Sequence, residues 1–181
     1  MLMAMLTALA FAALANGEGD AAPQHDVAAA PPQALAPSVA LLPGEVPADR
    51  GPDGNTVIFA APDGLIVVDT GRHVGHSDAI LAYARAHNAP IAAIVNTHWH
   101  LDHTSGNRRL KAVFPHARVY ATTAIDRALA PDGFLMRNLA AARQRAEDAS
   151  LDPVARDETQ LFLDTMAHSE SLRPDIPITR G

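Results

Sequence analysis

A five-residue apolar run, Ile91 to Val95, opens almost directly into His98-Trp99-His100-Leu101-Asp102-His103, and this junction constrains the fold more than any other part of the chain. Pro90 bars a helix from continuing into the run, and five residues are few for a helix, so the run reads as a short buried strand. Four side chains able to ligate a metal ion then follow within six positions. On extended backbone, residues i and i+2 project to the same side, which lets His98 and His100 converge on one ion. Asp102 and His103 come where the chain leaves the strand and starts toward a helix. There they suit a second ion, or the orientation of water on the first. Neutral imidazole and carboxylate oxygen are ligands for Zn²⁺, with Fe or Mn as further candidates. Gly106 then allows a tight turn where a side chain would crowd the loop.

Composition narrows the chemistry. Cysteine is absent, which removes disulfides, thiolate nucleophiles and Cys-ligated zinc and leaves His and Asp as ligands. The net charge of -6 supplies no basic face for nucleic acid, so the expected partner is a small-molecule substrate. Apolar residues make up 48% of the 181 residues but aromatics only 4%, so Val, Ile and Leu in a few concentrated segments must build the core of one domain.

Met1 to Ala15 is almost wholly apolar, too short to span a bilayer comfortably, and ends in Ala13-Leu14-Ala15. That pattern predicts a signal peptide and a periplasmic or secreted protein, although no Lys or Arg precedes the apolar run. Residues 16–37, rich in Ala, Pro, Gly and Asp, have a disordered linker's composition. A first strand is expected over Val39 to Val46, interrupted by Pro43-Gly44. Asn55 to Ala60 and Leu65 to Asp69 read as a hairpin around Pro62-Asp63-Gly64. Ser77-Asp78 is the expected cap of a helix reaching His87, with Asn88 and Pro90 to end it. Gly106 to Phe114 reads as a helix and Ala117 to Ala121 as a strand. This order predicts an α/β layered domain over residues 38–123. From Ala124 on the character is helical: Ala124 to Ala130, Phe134 to Glu147, and Asp152 to His168, where Asp152 is the cap and Pro153 takes the first helical position.

Asn96-Thr97-His98-Trp99-His100-Leu101-Asp102-His103-Thr104-Ser105-Gly106-Asn107 resembles the signature loop of the metallo-β-lactamase superfamily. Leu65-Ile66-Val67-Val68-Asp69-Thr70-Gly71 resembles the strand and turn that precede it, and Phe114-Pro115-His116-Ala117 with Val119-Tyr120-Ala121 the stretch that follows. The resemblance runs from Val57 to Thr123 and implies the N-terminal half of an αββα sandwich, followed here by a mostly helical segment. It implies that His98 and His100 bind a first zinc and Asp102 and His103 a second. It also implies that hydroxide held by the metal attacks a lactam, ester or thioester carbonyl, with Asp102 as the catalytic residue that orients it. His100, where a redox branch of the family has Glu, points to hydrolysis.

The family's later ligands have no counterpart here. After His103 only His116 and His168 remain, one expected at a surface turn and one at a helix end. A catalytic zinc needs three protein ligands. The competing expectation is therefore a truncated, catalytically incomplete remnant that binds metal weakly or needs a second chain. Its uncovered sheet face would favour self-association. Asp69 is expected either to hold the histidine loop or to cap its own turn. His73 and His76 are expected as surface loop residues, with contact to substrate as the alternative, and Trp99 as core or sheet-face packing.

Overall fold

The computed structural model describes residues 29–179. The apolar segment 1–15 and residues 16–28, on which the expectations of a signal peptide and most of the linker rest, lie outside the described residues.

The elements run β1 (Gln33–Ala36), β2 (Val39–Leu42), β3 (Thr56–Ala61), β4 (Gly64–Val68), α1 (Val74–Ala86), β5 (Ile91–Val95), α2 (Leu101–Thr104), α3 (Asn107–Val113) and β6 (Arg118–Ala121). Then come α4 (Ala124–Ala128), α5 (Phe134–Ala146), α6 (Pro153–Ala167), a 3₁₀ turn (Ser169–Leu172) and β7 (Ile176–Pro177). The strands form one sheet in chain order, antiparallel from β1 to β4 and parallel from β4 to β7. The α/β class expected from the order of elements is the class observed.

Register explains where the core lies. Ala40, Ile58, Val67, Ile94 and Val119 are successive partners across five strands, and all are buried. Strand side chains alternate faces, so this row points to one side. Ile80, Leu81 and Ala84 of α1 and Leu110 of α3 cover it. Each Val, Ile and Leu among them contributes about 1.5–3 kcal/mol on burial. The neighbouring row, Leu41, Val57, Val68, Val95 and Tyr120, faces the other way, is half-buried, and joins neither hydrophobic cluster.

Several expected boundaries move for local reasons. The stretch 16–37 read as linker, yet Gln33–Ala36 is a strand with every side chain exposed. Linker composition reports on side-chain burial, whereas an edge strand needs only backbone pairing. β2 stops at Leu42 because Pro43 has no N–H to donate. The hairpin closes through Pro62-Asp63, with Gly64 at φ +132, a conformation that side chains rarely adopt. Helix α1 begins at Val74, before the expected Ser77-Asp78 cap, and His73 at its N-cap makes no side-chain cap bond. Asp53, distant in sequence, instead accepts hydrogen bonds from the backbone N–H groups of Arg72 (2.6 Å) and His73 (2.9 Å) and anchors the start of the helix. Asn88, at φ 47, ends α1 as expected. At α6 the expected cap also holds: Asp152 accepts from the Ala155 N–H at 2.9 Å, with Pro153 behind it.

Helices α4 to α6 and the 3₁₀ turn build a second apolar cluster of Leu101, Ile125, Ala128, Leu135, Leu139, Met166 and Leu172. Leu101 belongs to the histidine loop, so this cluster seats the helices directly against it. The chain then rejoins the sheet, with Ile178 N donating to Ala121 O and Tyr120 pairing with Ile176. The helical segment is thus an excursion between two neighbouring parallel strands. Among the described residues no helix is long and apolar enough to cross a membrane.

Candidate metal centre and adjoining cleft

Strands β4 and β5 are parallel neighbours, so Asp69 and Asn96 leave the sheet side by side at its C-terminal edge. Asp69 sits at φ 61, in the left-handed region that Asp tolerates better than most residues, and this bend turns its carboxylate under the next loop. That carboxylate, 3% exposed as a residue, accepts from Thr97 N (2.8 Å), Thr97 Oγ1 (2.7 Å) and His103 Nδ1 (2.8 Å). Of the two roles expected for Asp69, it holds the histidine loop.

The two asparagines that bracket the loop fasten it from beneath. Asn96 Nδ2 and Thr70 N both donate to the carbonyl of His103, at 2.9 and 3.0 Å. Asn107 Nδ2 donates to Asn96 Oδ1 at 2.8 Å, and Thr70 Oγ1 donates to Asn107 Oδ1 at 3.0 Å. Gly54 presses from the side. A β-carbon there would stand 2.6 Å from His103 Cε1 and 2.8 Å from its Nδ1, so only a residue without one leaves room for the imidazole.

These contacts bring the expected residues together. The rings of His98 and His100 are 4.6 Å apart, and those of His98 and His103 4.0 Å. The single hydroxyl proton of Thr97 goes to Asp69, so Thr97 Oγ1 accepts from His98 Nδ1 at 3.0 Å and leaves His98 Nε2 with a free lone pair. Burial, with His103 and His100 close by, holds the His98 pKa below its ordinary value against the pull of Asp69 and Asp102. For His103, Nδ1 is occupied by Asp69 and Nε2 lies 3.2 Å from Asp102 Oδ2.

That last distance tests the fit of a metal. Ligand atoms about 2.0–2.2 Å from a tetrahedral Zn²⁺ are separated by roughly 3.4 Å. The His103–Asp102 pair is near that spacing, and a ligating His whose other nitrogen donates to a carboxylate is the usual arrangement. The fit stops at two donors: among the described residues no group of three or more His, Asp or Glu is placed to hold one ion. His116 and His168 are both exposed, and His168 Nδ1 donates to the Asp164 carbonyl. The residues present thus match part of a metal cage.

A cleft of about 760 Å³ opens beside the loop. His100, Leu101 and Asp102 line one side, and Phe134, Leu135, Ala142 and Phe162 of α5 and α6 line another. Of the two placements expected for Trp99, core and sheet face, it takes the core: it packs on the helical cluster, edge-on to His100 at 4.5 Å and 5.9 Å from Phe134.

One charged cluster was missed in the sequence. His73 Nδ1 lies 2.8 Å from Asp53 Oδ2 and its Nε2 2.6 Å from Glu158 Oε1, while Arg72 pairs with Glu158 at 2.9 Å. Burial alone would lower the His73 pKa, but bonds to Asp53 and Glu158 raise it to about 9. Burial likewise pushes Asp53 up, and the bonds and charge of His73 outweigh it and set Asp53 at about 2. His73 is therefore a cation that joins the β2–β3 loop to α6, not a surface residue. His76 is also buried. Thr56 Oγ1 donates to the Asp69 carbonyl and so accepts from His76 Nε2 at 2.8 Å; burial keeps that imidazole neutral by lowering its pKa.

A sequence model described as the Metallo-beta-lactamase superfamily matches residues 49–170. Over 50 residues the chain is 48% identical to a linear primary-alkylsulfatase from a Pseudomonas species, covering 27% of this chain and 10% of that protein. Over 51 residues it is 47% identical to a hydroxyacylglutathione hydrolase from a Synechococcus species, covering 28% and 19%. Among solved structures, a Pseudomonas aeruginosa metallo-beta-lactamase in a mono-zinc form is 25% identical, covers 60% of this chain and 48% of its own, and has a TM-score of 0.48. The chain thus spans a tenth to a fifth of the length of the two curated relatives and about half of the solved one.

Proposed function

This chain belongs to the metallo-beta-lactamase superfamily, and we propose that it is a zinc-dependent hydrolase acting at the carbonyl of a lactam, ester or thioester. The observation that carries this function is the placement of His103 Nε2 and Asp102 Oδ2 3.2 Å apart, with His103 Nδ1 already held by Asp69. With Nδ1–H given to Asp69, a neutral His103 turns its Nε2 lone pair toward that carboxylate of Asp102, and one cation can bridge the two. His98 and His100 would hold one ion and Asp102 and His103 a second, with Fe or Mn as alternatives to Zn²⁺. Such an ion, when bound, lowers the pKa of water toward neutrality and polarises a carbonyl oxygen. Asp102 is the catalytic residue of this proposal: its carboxylate orients the attacking water and takes its proton. Asp69, acting through His103, is a positioning residue.

The same centre motivates a second function from another class. Because no three donors assemble among the described residues, the chain would bind metal weakly, or complete the cage with a second chain, without turning over substrate. One experiment separates the two. Zinc content of the purified protein is measured, followed by hydrolysis of nitrocefin and of an acylglutathione, with His98→Ala alongside. At least one tightly held zinc per chain, with hydrolysis lost in His98→Ala, establishes the hydrolase. Less than one zinc with no hydrolysis establishes the incomplete centre.

We further propose export to the periplasm or medium, from the apolar Met1–Ala15 and its Ala13-Leu14-Ala15 ending. N-terminal sequencing of the protein from fractionated cells should begin at Asn16. A protein retained in the cytoplasm with its first residues intact would refute it.

A further inference from the structure

The cleft beside the histidine loop has a chemistry of its own. Its volume of about 760 Å³ lies within the range of sites for small organic molecules. The walls between the loop and helices α5 and α6 are mostly apolar: Trp99, Phe134, Leu135, Ala141, Ala142 and Phe162. Phe134 is 55% exposed at the first turn of α5, an aromatic ring with much of its surface still in water.

The charged groups that line the same cleft are largely committed to one another. Arg72 pairs with Glu158 at 2.9 Å and Arg50 with Glu45 at 3.6 Å. Asp49 and Arg145, both exposed, are of opposite sign. With its walls apolar and its Arg72 and Arg50 charges already paired, the cleft gains more from a hydrocarbon guest than from an ionic one.

We infer that this cleft receives an apolar arm of the substrate, an alkyl, acyl or aromatic group, whose cleavable bond faces His100 and Asp102. The position of that bond rests on the hydrolase function proposed above; binding of the apolar arm does not. The helical excursion between β6 and β7 is then the element that sets substrate class. It supplies four of the six apolar walls named here from α5, Phe134, Leu135, Ala141 and Ala142, and Phe162 from α6.

Trp99 is the only tryptophan in the chain, so fluorescence excited selectively at tryptophan reports on this cleft. The test titrates metal-stripped full-length protein with straight-chain 1-alkanols of increasing length. Saturable change is expected, with Kd falling about fourfold for each added methylene until the cleft is full. Phe134→Ala, at a largely exposed position, should weaken binding of the longest alcohol about tenfold and of the shortest much less. Ala141→Glu, on the exposed part of the helix, should flatten the dependence on length. Unsaturable change, a Kd independent of length, or a slope untouched by both variants in protein of unchanged circular dichroism would overturn the inference. Loss of zinc uptake with the slope intact would count against the hydrolase alone. A flat slope beside zinc-dependent hydrolysis would count against the apolar arm alone.

Discussion

Replacing His73 by Gln removes the one cation that bridges Asp53 and Glu158. The imidazole is 12% exposed and makes bonds of 2.8 and 2.6 Å to the two carboxylates. Its pKa rises from 6.5 to about 9, which at about 1.4 kcal/mol per pKa unit corresponds to about 3 kcal/mol at most. The sign follows from which form binds better. A folded-state pKa above the unfolded value gives stability that is complete below pH 6.5 and is lost as pH rises through about 9. Asp53, whose pKa of about 2 lies below its ordinary 3.8, contributes stability above pH 3.8 that is lost as pH falls through about 2. His76, whose pKa burial lowers below 6.5, contributes stability that is lost as pH falls below 6.5 and so opposes His73 at the acid end of this range. Urea unfolding followed by circular dichroism at about pH 6, 7.5 and 9.5 should therefore show wild-type stability declining with pH. His73→Gln should be less stable by about 2–3 kcal/mol at pH 6 and should lose almost no stability between about pH 7.5 and 9.5, where the wild type declines. Parallel curves for the two proteins, or a wild type that grows more stable between pH 6.5 and 9.5, would show that His73 is not the cation joining these loops to α6.

Three further substitutions probe the loop and its supports. Asp69→Asn should reduce zinc affinity by about 10–100-fold in a chelator competition, since the His103 imidazole loses the carboxylate that orients it; unchanged affinity would remove Asp69 from the centre. Gly54→Ala places a methyl group 2.6 Å from His103 Cε1 and should weaken zinc binding by about tenfold, whereas an unaffected centre would mean the loop has room to yield. Thr56→Val strips the partner from the His76 Nε2–H and from the Asp69 carbonyl, so the urea midpoint should fall by the equivalent of about 1–3 kcal/mol.

How much of this was legible in advance follows from distance along the chain. The apolar run Ile91–Val95 and the four donors after it are contiguous, and their periodicity and chemistry can be read directly. So can the hairpin around Pro62-Asp63 and the cap at Asp152, each set by bonds among near neighbours. Asp69 lies 34 residues from the His103 it holds, and residue types alone left its two roles open. Asp53 and Glu158 are 20 and 85 residues from His73, and nothing local distinguishes a clamped histidine from a surface one. Gly54 carries no side chain to announce a role. Trp99 was legible as a packing residue, but which apolar surface it packs on was not, because the Phe134 ring that meets it comes 35 residues later in the chain.

The sequence by itself determined the α/β order of elements, the superfamily and the candidate donors His98, His100, Asp102 and His103, because each depends on residues a few positions apart. Only the tertiary structure decided that Asp69 grips His103, that a buried charge cluster joins the β2–β3 loop to α6, and that α5 and α6 wall an apolar cleft beside the loop. Those features are contacts between residues brought together by packing, and a one-dimensional pattern holds no record of which distant partners share a dry, crowded space.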